Sequence, residues 1–144
     1  LSSRLLDTEF IDVQNNLRKK INNASSVTII TDGWTNIHRE SIINYVVSIK
    51  QTPLFYKSIE AEASHTGKYI ADEIEKIIIE IGIDKVDALV TDNASNMKSA
   101  WCIIKDKYPN INTIGCAAHT LNLLFGDVTK IESIANLVMT AKIL

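Results

Sequence analysis

A change of hydrophobic period part-way along the chain constrains the fold most. Val27 to Thr31, Ile42 to Ile49 and Leu54 to Ile59 are dense in β-branched and aromatic residues, and each reads as a strand. Only Lys50 to Pro53 separate the second run from the third. Links that short cannot hold a crossover, so the three runs form an antiparallel meander. After Ser64-His65-Thr66-Gly67 the spacing changes: Ile70, Ile74, Ile77, Ile78 and Ile81 follow i, i+4, i+7, i+8 and i+11. That is one face of a helix, with Gly82 at its C-cap. Val86 to Thr91 reads as a fourth strand, and Met97, Trp101, Ile104 and Tyr108 mark a helix that Pro109 stops. Ile111 to Ile114 is a fifth strand. It leads into Cys116 and a helix bearing Leu121, Leu124 and Phe125, broken at Gly126, before a last helix with Val128, Ile131, Ala135 and Val138. Ahead of the strands, Phe10, Val13, Leu17 and Ile21 predict a helix from Thr8, the expected cap, to Ile21, ended by Asn22-Asn23.

The order is thus β-β-β-α-β-α-β-α behind an N-terminal helix, an α/β architecture with a mixed sheet flanked by helices. With 46% hydrophobic and 22% charged residues in 144, the chain has the composition of one globular unit, which excludes a disordered segment. It contains no apolar run of about 18 residues that could span a membrane. The net charge of -2 argues against holding DNA by bulk electrostatics alone, which needs clustered Lys and Arg. Two cysteines, Cys102 and Cys116, are too few for a disulfide framework. The opening LSSRLLDTEF lacks the features of a signal peptide, so a reducing, intracellular setting is expected. The absence of an initiator Met reads as a piece of a longer chain.

Two aspartates draw attention. Asp32 follows the first strand in T-D-G-W-T, and Asp92 follows the fourth in T-D-N-A-S-N-M. Each, taken singly, reads as a turn former or a helix cap. If the fourth strand lies beside and parallel to the first, however, both acids reach one sheet edge. Two adjacent carboxylates repel unless a cation sits between them, and a hard divalent ion with oxygen ligands is the usual solution.

The segments T-D-G-W-T-N, T-D-N-A-S-N-M-K-S-A and G-C-A-A-H-T-L-N-L, in this order, resemble the catalytic core of hAT-superfamily transposases and of a related transposase-like family. The likeness extends over nearly the whole chain, with S-R-L-L and the following helix similar to the stretch before that core. It implies an RNase H-like fold and a D-D-E triad binding Mg2+ or Mn2+, in which Asp32 and Asp92 match the first two acids. The third acid, a Glu, lies in that family beyond a helical insertion that follows the C-x-x-H segment. Glu132 does not match it. The implied layout is a preceding helix over 1–26, an incomplete core over 27–126 and the start of the insertion over 127–144.

Within the resemblance, His119 of C-x-x-H corresponds to a residue that contacts DNA phosphate or orients the acids; as a plain residue it reads as a buried histidine at a helix start. Zinc would need four ligands, and Cys102, His38 and His65 show no ligand spacing with Cys116 and His119. Trp34 reads either as a surface for an unpaired base or as an apolar residue closing the sheet edge. Asn93, Ser95 and Asn96 sit where a helix N-terminus favours anions, and equally where caps belong. The function implied is metal-dependent cleavage and strand transfer on transposon-end DNA by a nuclear protein that does not engage membranes and is compatible with homo-oligomeric assembly. Residues 1–144 alone are expected not to cleave. Two further readings stand beside it. One is a domesticated or decayed descendant that binds DNA or protein without catalysis. The other is a phosphoacceptor-like α/β domain binding one Mg2+, against which the β-β-β start argues.

Overall fold

The computed structural model describes residues 2–38, 40–60 and 66–141. Its first helix, α1, runs over Ser2–Asn23 and so begins six residues before the expected cap Thr8, which lies inside it. Of the predicted apolar stripe only Leu17 and Ile21 are buried, while Phe10 and Val13 remain exposed. Packing therefore holds only the C-terminal half. The end of α1 is fixed by Lys85, whose Nζ donates to the carbonyls of Ile21 and Asn22 at 3.1 and 2.8 Å, groups that a helix terminus otherwise leaves unsatisfied.

Three strands follow, β1 (Val27–Thr35), β2 (Ser41–Ile49) and β3 (Thr52–Glu60). The β2–β3 link contains Lys50 and Gln51 at φ 48° and 66°, the left-handed pair of a type I′ hairpin. Helix α2 (Gly67–Ile81) starts at Thr66, whose hydroxyl accepts the Tyr69 N–H, and ends at Gly82, whose φ of 108° suits glycine. A short 3-10 turn leads to β4 (Val86–Thr91), then come α3 (Ser95–Lys107), β5 (Asn112–Gly115), α4 (Ala117–Val128) and α5 (Glu132–Ala141). Helix α4 runs through Gly126 instead of breaking there; a Cβ at that position would meet nothing, and one glycine costs an exposed helix only about 1 kcal/mol.

The sheet order is β3-β2-β1-β4-β5, with β1 antiparallel to β2 and parallel to β4. This is the mixed sheet flanked by helices that the RNase H-like reading requires. One boundary differs: Asp32 and Gly33 lie inside β1 instead of ending it. The ladder with β2 continues to Thr35↔Ser41 and keeps the strand extended, whereas the parallel partner β4 ends at Thr91.

Strand side chains alternate between faces. Val27, Ile29 and Thr31 of β1, Ile43, Tyr45 and Val47 of β2, and Leu89 of β4 are buried on one face. Ile70, Ile74, Ile77, Ile78 and Ile81 of α2 and Met97, Ala100 and Ile104 of α3 join them in a single core with Leu17 and Ile21. Glu75 of α2 also clamps the end of α3, accepting from Lys107 Nζ and Tyr108 Oη at 2.7 Å each. The Lys107 hydrogen bond, then that from Tyr108, holds its carboxyl below the usual range. On the opposite face Ile30, Val46 and Val90 are half-buried and Phe55 and Ile114 exposed.

Two stability effects follow from this packing. A Cβ on Gly67 would come within 2.5 Å of the Ser99 Cβ and 3.0 Å of the Asn96 carbonyl oxygen, so α2 and α3 touch there backbone to backbone. Gly67→Ala is expected to destabilise the protein by roughly 1–3 kcal/mol in urea unfolding, and an unchanged midpoint would contradict that contact. The Tyr45 hydroxyl is buried without a hydrogen-bond partner among the described residues, and burial pushes the phenol upward in pKa. Tyr45→Phe should therefore stabilise by about 1 kcal/mol, whereas a loss of that size would reveal a partner for the hydroxyl.

Candidate functional site

The parallel ladder sets the geometry. Ile30 of β1 pairs with Val90 of β4, and each lies two residues before an aspartate. The β1–β4 ladder ends at that pair, so Asp32, two residues further along β1, and Asp92, in the first position after β4, lie toward the same edge of two strands that run about 4.8 Å apart while paired. By alternation Asp32 shares the face of Ile30, away from the core, while Asp92 stands in the turn that follows the buried Thr91. Asp32 is exposed and Asp92 half-buried.

The row continues across the sheet. Asn44 of β2 is the cross-strand partner of Asp32, and Ser58 of β3 is the partner of Asn44. The Ser58 hydroxyl donates to the Asn44 side-chain oxygen. Behind this row, on the core face, Thr31 pairs with Tyr45. Thr91, next to Asp92, accepts from Trp101 Nε1 at 3.0 Å and donates to the Asp92 carbonyl at 2.6 Å. Trp101 is thus tied to the strand end that carries Asp92.

Asp92 Oδ1 accepts the Ala94 N–H at 2.7 Å, so one oxygen shapes the turn into α3. The helix cap itself is Ala94, which has no side-chain cap, and α4 likewise starts at Cys116 with none. Both helix N-termini follow the C-terminal ends of β4 and β5, the edge where the aspartates stand. Their free N–H groups favour anions there.

The remaining predicted residues are distributed as follows. Trp34 is on β1 two positions beyond Asp32, on the same face and 47% exposed, with Ile42 opposite. Asn93 braces the site: its Nδ2 donates to Thr120 Oγ1 at 2.8 Å, and its amide lies so close over Gly115 that a Cβ there would fall 2.1 Å from Oδ1. Asn96 is half-buried in the first turn of α3, where its Oδ1 accepts the Met97 N–H at 3.0 Å. His119 is half-buried in the first turn of α4. That turn is held at the edge by the Cys116 N–H donating to the Thr91 carbonyl at 2.7 Å.

Among the described residues no three His, Cys, Asp or Glu side chains gather to hold a metal, so His119 does not complete a cluster with the aspartates and no zinc set forms. His65 lies outside the described residues. Two carboxylates at one sheet edge are donors that suit a hard cation, which takes one or two carboxylates and completes its shell with water and phosphate. Asn44 is the site residue that sequence reasoning missed. Its signal is faint: it is the polar amide in the otherwise apolar centre of SIINYVVSI, and only register places it beside Asp32.

No curated protein matches the chain. Among solved structures it is similar to a Bacteroides thetaiotaomicron protein with an actin-like ATPase fold and unknown function. That match has 10% identity and a TM-score of 0.44, covering 71% of this chain and 37% of that one. It is also similar to a chain in the Mos1 strand transfer complex, again at 10% identity and a TM-score of 0.44, covering 83% of this chain and 45% of that one. The chain thus spans less than half the length of either. A family model, by contrast, matches along its whole length, residues 1–144, and the chain belongs to that family, described as Domain of unknown function (DUF659).

Proposed function

We propose that this domain is part of the catalytic core of a hAT-like DNA transposase. It would use Asp32 and Asp92 to bind Mg2+ or Mn2+ for cleavage and strand transfer at transposon ends. The observation that carries the reading is the parallel pairing of β1 with β4, which directs Asp32 on β1 and Asp92 just after β4 toward one sheet edge. The three ordered motifs containing Asp32, Asp92 and His119 support it. When bound, the cation supplies Lewis-acid activation of a water or 3′-hydroxyl and charge neutralisation at a phosphodiester. The chain's own part is to hold the two carboxylates on rigid strands. The N-termini of α3 and α4 at the same edge favour the DNA phosphate through their dipoles, His119 on α4 reaches the phosphate or orients the acids, and Trp34, Asn93 and Asn96 line its approach. A third acid, a Glu after a helical insertion, completes the triad in the whole protein, which acts on DNA in the nucleus.

The test is Mn2+ titration and transposon-end cleavage by the full-length protein, compared with Asp32→Asn and Asp92→Asn. The second reading is a descendant that binds DNA without cutting it. It is favoured by the net charge of -2. DNA binding that persists without any metal-dependent cleavage by the full-length protein would select it.

A further inference from the structure

The Asn44 amide stands beside Asp32 with its oxygen engaged and its two N–H donors unused among the described residues. Its oxygen accepts from Ser58 on β3, while its Nδ2 has no acceptor among the described residues. The substituents on a carboxamide carbon lie about 120° apart in one plane. An oxygen turned toward β3 therefore leaves the NH2 on the other side, toward β1 and out over the sheet face. Directly opposite partners in an antiparallel pair have Cβ atoms about 5 Å apart, so these N–H groups open onto the space above Asp32.

We infer that Asn44 contacts the substrate: its Nδ2 donates to a non-bridging oxygen of a DNA phosphodiester, and Ser58 is the positioning residue that orients the amide. The inference rests on the proposed metal site. A phosphate brought to two carboxylates needs a cation for one oxygen and a donor for the other. A lysine at this level would compete with the divalent ion for Asp32 and Asp92, whereas a neutral amide donates without displacing it. Its place on a central strand, with its rotamer held by Ser58, gives the rigidity that such a contact requires.

The experiment uses the full-length protein and two readouts: Mn2+ affinity by electron paramagnetic resonance, and binding of a labelled DNA duplex by anisotropy in Mn2+ and in EDTA. Asn44→Ala is expected to weaken the Mn2+-dependent part of DNA binding about tenfold or more, the scale of a lost hydrogen bond to a charged group, while Mn2+ affinity stays within about twofold. Ser58→Ala, a change on the exposed face, should move DNA binding the same way by a smaller factor, roughly threefold. Asn44→Asp should tighten Mn2+ and weaken DNA. Wild-type DNA affinity in Asn44→Ala overturns the inference and leaves the metal site standing. So does a parallel loss of Mn2+ affinity, which would make Asn44 a structural residue or a metal ligand. A wild-type protein that binds no Mn2+ overturns the metal site and this contact together. If Asn44→Ala does not fold, Ser58→Ala decides, since an unchanged Mn2+-dependent DNA affinity there refutes the orientation of the amide.

Discussion

On the proposed metal site, Asp32→Asn and Asp92→Asn are each expected to lower Mn2+ affinity by about a hundredfold or more and to abolish metal-dependent cleavage by the full-length protein. Asparagine keeps the shape and one oxygen donor but removes a full negative charge from the side chain nearest the ion. Changes to residues that only hydrogen-bond a metal's ligands cost roughly 10–100-fold in metal affinity, so loss of a charged ligand should cost at least as much. The alanine variants separate two roles. Asp92 Oδ1 also accepts the Ala94 N–H, so Asp92→Ala should lose about 1 kcal/mol of stability as well as metal. Asp32 is exposed, and Asp32→Ala should lose metal with little change in melting temperature. Paramagnetic resonance titration and thermal melts read the two effects independently. Undiminished cleavage in either asparagine variant would sink the assignment.

Ile29→Ala and Ile30→Ala, adjacent on β1, should differ severalfold in their effect on stability. Ile29 is 0% exposed, between the levels of Val47 and Leu89, with α2 and α3 packed over its face. Truncating it removes apolar contact and leaves a cavity that close-packed neighbours cannot fill, at a cost of about 2–5 kcal/mol. At roughly 3 °C per kcal/mol for a domain of this size, that is a fall of about 10 °C in melting temperature. Ile30 points to the half-covered face, so its truncation should cost about 1 kcal/mol or less. Equal losses in denaturant melts would mean that another layer covers the Ile30 face in solution.

The elements were legible where a single local pattern governs them. The isoleucine spacing located α2 and its Gly82 cap, and the apolar run Val86 to Thr91 is β4 residue for residue. Misreadings arose where a neighbour overrode the local signal. β1 reads as ending at Asp32 because Asp-Gly is a turn signal, yet pairing with Ser41 to Asn44 keeps it extended to Thr35. The type I′ turn at Lys50-Gln51 carries no glycine, so the tight closure of that hairpin shows only in backbone angles. The stripe from Phe10 to Ile21 marks α1 correctly, but the buried half of that stripe is decided by what lies opposite it.

For the candidate site, the sequence by itself determined which residues are candidates for chemistry: Asp32 and Asp92 after apolar runs, the C-x-x-H at the start of a helix, and an α/β order able to bring the acids together. Residue type and near-neighbour spacing are local properties, and a sequence displays them directly. Only the tertiary structure decided that β4 lies parallel beside β1 so that both acids reach one sheet edge, that Asn44 and Ser58 form a row with Asp32, and that one Asp92 oxygen is committed to the α3 turn. Register joins residues far apart in sequence through backbone hydrogen bonds and shared burial. A slip of one position would send every side chain of a strand to the other face, so pairing across the sheet determines where the acids meet.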